Sequence, residues 1–408
     1  MSSQSPLTWT GDTLAGTVTA NFGVAAGTAN GFRRWQSIES PAHAKAAESH
    51  TRFLYVVEQG TVVRRTGARV FVTKKDAKLI EVPLIKLQGL LCYGNVQVST
   101  QCMRTLLDEG VWLSFFTRGG AYKGRLQPPA ERGGKLRVRQ WDRSRDPKFC
   151  LAFGRAVVRG KILGQKQVAA AYAKNYLAET LGEAHTLLCQ SLERVESVET
   201  LDELRGVEGS ASRAYFDLFR RWNRSEMPFE GRHKRGATDA INALLNFGYT
   251  LLTRELEGFL EAAGLDPTIG FYHLADEDRP SLACDWVEEF RHVVVDRLVL
   301  KLINEKIVQP DHFEVHEEKG GLRMKPEGLR RFVQHWEKAL TGGANENNGL
   351  AGGFRGVFLD RLGALLDSLV KELPYWTHLE SGAGPERRPS AAQAFGCTGA
   401  ANPDAGNS

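Results

Sequence analysis

The chain has 408 residues, 42% of them hydrophobic and 25% charged, a balance that supports two or three packed domains and excludes a disordered or fibrous protein. Its richest apolar run, VVVDRLVLKLI, is broken by Asp296, Arg297 and Lys301, and its start has no basic stretch leading into an apolar core, so neither a membrane span nor an export signal is expected. Six scattered cysteines with no C-x-x-C pair argue against a disulfide framework or a cysteine zinc site; a reducing cytoplasm is the expected location, and a net charge of +5 leaves a polyanionic partner open.

Residues 1–50, rich in Ala, Gly, Ser and Thr and without sustained periodicity, are predicted to be an extension that is partly disordered. From Arg52, short β-branched and aromatic runs alternate with Gly or Asn: FLYVV, TVVRR, RVFVT, KLIEVPLIKL, LLCYGNVQVST. QCMRTLLDEG has helical spacing and a glycine stop, and VWLSFFTRGG reads as one more strand. Residues 51–126 are therefore expected to form a β-rich N-terminal domain. Residues 127–165 follow as a basic linker and first helix, in which Lys135, Arg137, Arg139, Arg145, Lys148 and Lys161 are among the many cations, against only Glu131, Asp142 and Asp146.

Beyond this point apolar residues recur at three-and-four spacing over 167–192, 195–224, 240–264 and 281–308, which predicts an all-helical domain over 166–380. The fold class is thus α+β, a β-rich N-terminal domain followed by a helical one. Residues 381–408, small, polar and rich in Gly and Pro, are predicted to be a disordered tail. Inside the helical part, Arg220, Arg221, Arg224, Arg232, Lys234 and Arg235 surround Trp222 and Phe229, an arrangement that suits phosphate contacts with stacking nearby; a solvated basic face has the same pattern.

Three short stretches carry chemistry. In the helix expected from Ser281, Ala283, Val287, Phe290, Val294 and Leu298 form a buried stripe and leave Asp285, Glu288, Glu289 and His292 on the opposite side. Asp285 and Glu288, three residues apart, can converge, and two adjacent carboxylates repel unless a cation or proton lies between them. A solvated acidic helix start has the same spacing. His273 lies just upstream in IGFYHL; one imidazole with carboxylates suits Mn²⁺ and tolerates Mg²⁺, although a packed histidine is the commoner case. In GVEGSASRAYF, Glu208 sits between two glycines at an expected helix opening, with Arg213 and then Tyr215 and Phe216 after it, which fits a metal-and-phosphate site or an ordinary surface turn.

Taken in order, LYVVEQG, EVPLIKL, YGNVQVST, GVEGSASRAYF, the Arg235, Asp239 and Asn242 of RGATDAINALLNFGYTLL, GFYH, and SLACDWVEEFRHVVVDRLVLKLIN resemble the CRISPR-associated Cas-one family, the endonuclease and integrase of spacer acquisition, over residues 52 to 378. The resemblance implies a helical catalytic domain with a divalent-metal site, Mg²⁺ or Mn²⁺, on Glu208, His273 and Asp285. Glu288, where family members often have aspartate, would be a further ligand, a water-mediated neighbour or a general base. It also implies DNA contacts by Arg213, Tyr215, Arg232, Lys234 and Arg235, and joining of the 3′-hydroxyl of short DNA fragments to CRISPR repeat ends by transesterification. The implied assembly is a homodimer, two of which flank a small Cas-two partner in a heterohexamer. A structure-specific nuclease acting on branched or single-stranded DNA would use the same residues, and a non-catalytic DNA-binding scaffold would use only the basic ones.

Overall fold

The structure, a computed structural model, describes residues 17–22, 51–75, 77–118, 122–126, 134–173, 182–233, 237–273, 279–315, 321–341 and 353–379. Strands come first and helices after, a mixed α+β protein. The tail predicted over 381–408 lies outside the described residues.

Two sheets form the N-terminal part. In the first, β1 (Thr17–Phe22), β2 (Thr51–Val56), β6 (Leu87–Tyr93), β8 (Trp112–Phe116) and β9 (Tyr122–Leu126) lie in that spatial order, parallel at β2/β6 and β6/β8 and antiparallel at both edges. In the second, β5 (Ala77–Pro83), β4 (Arg69–Lys74), β3 (Thr61–Thr66) and β7 (Val96–Val98) follow one another. A short helix, α1 (Thr100–Asp108), starts at Ser99, whose side chain accepts from Cys102 N, and ends before Gly110 at φ +70°. Part of the stretch read as an extension, 17–22, is thus an edge strand.

The alternation of β2 and β6 builds two cores at once. Leu54, Val56, Leu90 and Cys92 point into the small core between sheets, while Tyr55, Val57 and Tyr93 point the other way and join the large core of the helices. A buried ionic network fastens this junction: the Tyr55 hydroxyl donates to Glu337, and Arg355 bridges Glu337 (2.8 Å) and Glu255.

The helical part contains α2 (Gly134–Ser144), α3 (Pro147–Ala173), α4 (Gly182–Ser197), α5 (Leu201–Trp222), α6 (Ala240–Ala262), α7 (Ser281–Val287), α8 (Arg297–Asn304), α9 (Pro326–Thr341) and α10 (Gly353–Val370). A hairpin of β10 (Phe313–Val315) and β11 (Leu322–Met324) interrupts it, so this part is not wholly helical. α3 runs through the boundary drawn at 165/166, and its basic residues Lys161 and Lys166 are buried. No helix among the described residues is long and apolar enough to cross a membrane.

The 281–308 segment departs most from expectation. It breaks into α7, a π turn at His292–Asp296, and α8. The apolar stripe is buried as read, but so are Asp285 (0% exposed), Glu288 (5%), Glu289 (1%) and His292 (1%), so no face of this segment is a solvated acidic one. Each of these polar groups has a partner from a distant part of the chain, which local spacing does not reveal.

Candidate active site

Three elements converge on one place: α5 with Glu208, the turn 270–273 with His273, and α7 with Asp285 and Glu288. The turn is held from both sides. Gln140 of α2, fully buried, donates to the carbonyls of Asp266 (2.7 Å) and Ile269 (2.8 Å) and accepts from Asp266 N (2.9 Å). Gly270 packs so tightly that an added Cβ would lie 2.8 Å from His273 O and 2.9 Å from Ser281 C, a clash with backbone that cannot yield cheaply. α7 starts at Ser281, and its first turn is satisfied by main chain, Leu282 N donating to Pro267 O at 2.8 Å.

Asp285 is the centre of this turn. Its Oδ2 accepts from the backbone N–H groups of Phe271 (2.7 Å) and Tyr272 (3.0 Å), and its Oδ1 accepts from His273 N and from His273 Nδ1, both at 2.7 Å. Expected as a metal ligand beside Glu208 and His273, Asp285 instead has both oxygens occupied by the turn it supports. His273 is fixed by this contact, with Nδ1–H donating to Asp285 Oδ1, and its Nε2 has no hydrogen bond among the described residues. The ring is 23% exposed.

Glu208 and Glu288 meet at Lys161, whose ammonium contacts Glu208 Oε1 and lies 2.8 Å from Glu288 Oε2. Tyr272 donates its hydroxyl to the other oxygen of Glu208 at 2.5 Å, and Arg291 lies 3.2 Å from the other oxygen of Glu288. Burial alone would raise both carboxyl pKa values. For Glu288, Arg291 and Lys161 outweigh it and hold the group well below the usual carboxylate range. For Glu208, Lys161 outweighs burial and the repulsion of Glu288, again lowering the value. Burial likewise disfavours the Lys161 ammonium, but Glu288 and Glu208 more than compensate and raise its pKa. Among the described residues no three His, Cys, Asp or Glu side chains close around one point as an ion requires; the cation between these carboxylates is Lys161.

A second layer stiffens the site. Arg291 lies over the Tyr249 ring, 4.6 Å from its centroid; Tyr249 OH donates to Asp296 (2.5 Å), and Asp296 accepts from His292 Nδ1 at 2.6 Å. Residues 371–379 return as a strap across α7: Glu289 accepts from Tyr375 OH (2.7 Å), His378 N (2.5 Å) and His378 Nδ1 (2.9 Å), and Trp286 Nε1 donates to Tyr375 OH (3.1 Å).

Several expected residues lie elsewhere. Glu208 is within α5, whose cap is Thr200, and not at a helix opening. Tyr215 is wholly buried, 4.6 Å from the His292 ring, and cannot reach DNA; Trp222 (1% exposed) and Phe229 (6%) are core residues and cannot stack on bases. Arg213 is exposed. Arg220 and Arg221 both pair with Asp217, at 2.9 and 2.8 Å. Arg232 donates to Asn242 (3.0 Å) and Asn246 (2.6 Å), a structural tie for the loop before α6, while Lys234 and Arg235 lie outside the described residues. Among the described residues, Arg205, its side chain 37% exposed, donates to Tyr272 O at 3.1 Å, and Lys135, Arg137 and Arg139 are exposed on α2, the helix whose Gln140 anchors the 266–273 loop. Lys161, Tyr272 and Gln140 were missed by sequence reasoning, since a lysine in a basic run and a tyrosine in an aromatic one carry no local mark of their partners.

Residues 54–338 match the family described as CRISPR associated protein Cas1. The chain is 31% identical over 298 residues to a CRISPR-associated endonuclease Cas1 of Chlorobaculum tepidum, covering 71% of this chain and 87% of that one. It is 30% identical over 326 residues to one of Thermus thermophilus, covering 79% and 95%. Among solved structures, a Cas1 protein from Thermotoga maritima (TM-score 0.68, 23% identity, 80% of this chain and 99% of that one) and a casposase bound to an integration product (TM-score 0.68, 23% identity, 81% and 94%) share the fold. So does the Cas1-containing chain of a Cas6-RT-Cas1–Cas2 complex, of which 36% is covered, at a TM-score of 0.67 and 21% identity, with 79% of this chain aligned.

Proposed function

The chain belongs to the CRISPR-associated Cas1 family, and from that membership we propose that it is a divalent-metal-dependent DNA endonuclease and integrase that joins the 3′-hydroxyl of short DNA fragments to repeat ends. The observation that carries this reading is the meeting of two carboxylates, Glu208 and Glu288, from helices far apart in sequence, at a single cation beside a histidine aimed by a buried aspartate.

The donor set fits Mg²⁺ or Mn²⁺: carboxylate oxygens of Glu208 and Glu288 with one imidazole nitrogen, Nε2 of His273. Glu208, Glu288 and His273 would hold the ion, and Asp285 would position the histidine. When bound, such an ion polarises the phosphodiester and makes an attacking hydroxyl more acidic. The remaining work falls to the chain. Asp285 keeps the proton of His273 on Nδ1 and so leaves Nε2 free to donate its lone pair. Tyr272 fixes the rotation of the Glu208 carboxylate. The exposed cations of α2 would draw the DNA backbone to this face and hold a phosphodiester near the carboxylates. The bond formed is from the fragment 3′-oxygen to a repeat phosphorus, and the bond broken is from that phosphorus to the repeat 3′-oxygen, so no protein nucleophile is needed.

By analogy with the Cas6-RT-Cas1–Cas2 complex, a homodimer that pairs with a small Cas2-type protein is the proposed assembly, with two homodimers per heterohexamer, working on DNA in the cytoplasm.

The test is a supercoiled repeat-bearing plasmid incubated with a short 3′-hydroxyl duplex and Mn²⁺. Fragment-plasmid joints are expected with the wild type and not with Glu208→Gln or Glu288→Gln. Cutting without joining would instead favour a structure-specific nuclease, and no reaction with DNA binding intact would leave only a scaffold.

A further inference from the structure

We propose that Lys161 is the resident counter-ion of the site: its ammonium holds Glu208 and Glu288 together in the metal-free protein and gives up its contacts when a divalent cation binds. The inference rests on the reading of Glu208 and Glu288 as ion-binding groups.

The geometry makes the lysine unusual. Lys161 projects from the middle of α3, its side chain is 4% exposed, and it contacts two carboxylates, one from α5 and one just past α7, whose own side chains are 17% and 6% exposed. A lysine is seldom buried this far unless paired, and here it hydrogen-bonds Glu208 and lies at ion-pair distance from Glu288, whose Oε2 has no hydrogen bond of its own among the described residues. At these two carboxylates the charge is matched: Glu208 and Glu288 give two negative charges, and Lys161 and Arg291, the cations paired with them, two positive ones. A dication added to the same carboxylates with the ammonium in place would leave a buried excess of positive charge, so ion and ammonium exclude one another. Lysine suits such a role better than arginine would. Its charge is a compact point on a flexible four-carbon stem, with no planar fork to keep it bound to one carboxylate.

Two properties follow. The metal-free protein keeps its carboxylates buried and paired, so it folds without an ion. Its affinity for the ion is also lower than the bare donor set would give, because each binding event displaces a lysine.

The experiment compares the full-length wild type, Lys161→Met and Lys161→Met/Glu288→Gln by Mn²⁺ calorimetry and by thermal melting in EDTA. Lys161→Met is expected to bind Mn²⁺ roughly tenfold or more tightly than wild type, the scale of one removed neighbouring charge, and to melt several degrees lower in EDTA. The double variant, which removes one charge of each sign, should recover most of that loss. Equal or weaker Mn²⁺ affinity in folded Lys161→Met, with wild type binding normally, overturns the counter-ion role alone. If neither wild type nor Lys161→Met takes up Mn²⁺, the metal-site reading falls and displacement falls with it. Should Lys161→Met fail to fold in EDTA, melting with Mn²⁺ added carries the comparison: recovery of a folded protein by Mn²⁺ supports the exchange of ammonium for ion, and no recovery overturns it.

Discussion

Asp285 Oδ1 accepts two hydrogen bonds from a single residue, His273: one from the backbone N–H and one from Nδ1, both at 2.7 Å. One carboxylate oxygen therefore sets both the path of the turn and the direction of the ring it carries. Asp285→Ala should leave three buried backbone N–H groups without an acceptor, at about 1–3 kcal/mol each. We expect a stability loss of at least about 3 kcal/mol in urea titrations together with collapse of strand transfer. Asp285→Asn, which keeps an acceptor at one oxygen, should fall between the two proteins in both measurements. Wild-type joining by a well-folded Asp285→Ala protein would remove the positioning role.

Replacement of Glu208 or Glu288 separates chemistry from folding in a different way. Each Gln variant keeps the volume and one acceptor oxygen while losing charge, so melting temperature should move by only a few degrees. Joining in Mn²⁺ should fall by more than about a hundredfold, beyond the 10–100-fold typical of groups that support a metal site from outside its ligands. A loss below tenfold at either position would show that the residue does not hold the ion.

Basic residues on α2 should matter more to DNA than those at the end of α5. Lys135, Arg137 and Arg139 are exposed on the helix that anchors the 266–273 loop, while Arg220 and Arg221, exposed too, share Asp217 as a counter-charge. Changing the three α2 residues to Ala should weaken binding of all duplexes and reduce the slope of log affinity against log salt by up to about 2.7, at about 0.9 per phosphate contact. Arg220→Ala/Arg221→Ala should change that slope little. The reverse order of effects in a fluorescence titration would move the DNA path to the end of α5.

Burial pushes the His292 imidazole below its ordinary value, against the opposing pull of Asp296, and the ring is held neutral with Nδ1 on Asp296. His335 and His185 are shifted the same way by burial. An unfolded histidine takes up its proton near pH 6.5, before the folded one does, so the stability from a neutral buried ring is complete above about pH 6.5 and is lost as pH falls toward the folded value. For His292 the slope should approach 1.4 kcal/mol per pH unit at most. Denaturant titrations at pH 7.5 and 5.5 should show this loss, and His292→Gln should flatten part of it; an equal loss in that variant would place the acid sensitivity elsewhere.

The order of strands then helices was legible because alternation and three-and-four spacing are local properties, and α5 and α6 begin at the polar caps Thr200 and Asp239. The apolar stripe from Ala283 to Leu298 was legible for the same reason. What the spacing could not give was the fate of the polar residues between. Asp285 is buried by a turn 12–14 residues upstream, Glu288 by a lysine 127 positions away, and Glu289 by residues 86–89 positions downstream. A buried charge and a solvated one look alike until its partner is placed. Tyr215 and Trp222 failed in the opposite sense: arginines next to them in sequence suggested a surface, but on a helix neighbours in sequence face different sides.

Glu289, with no exposed side-chain surface, takes all three of its hydrogen bonds from Tyr375 and His378. A ribosome makes those two residues after every other part of the site, and the tunnel would keep them from α7 for some time after the rest has emerged. Until then a buried carboxylate next to Glu288 lacks its donors, and the segment from Ser281 to Asp296 has no reason to settle into its final shape. Completion of the site thus waits on the 371–379 strap. Nascent chains stalled after Val370 should show protease cleavage within 281–296 that the released protein resists, so that the site takes its final shape only after Tyr375 and His378 have emerged.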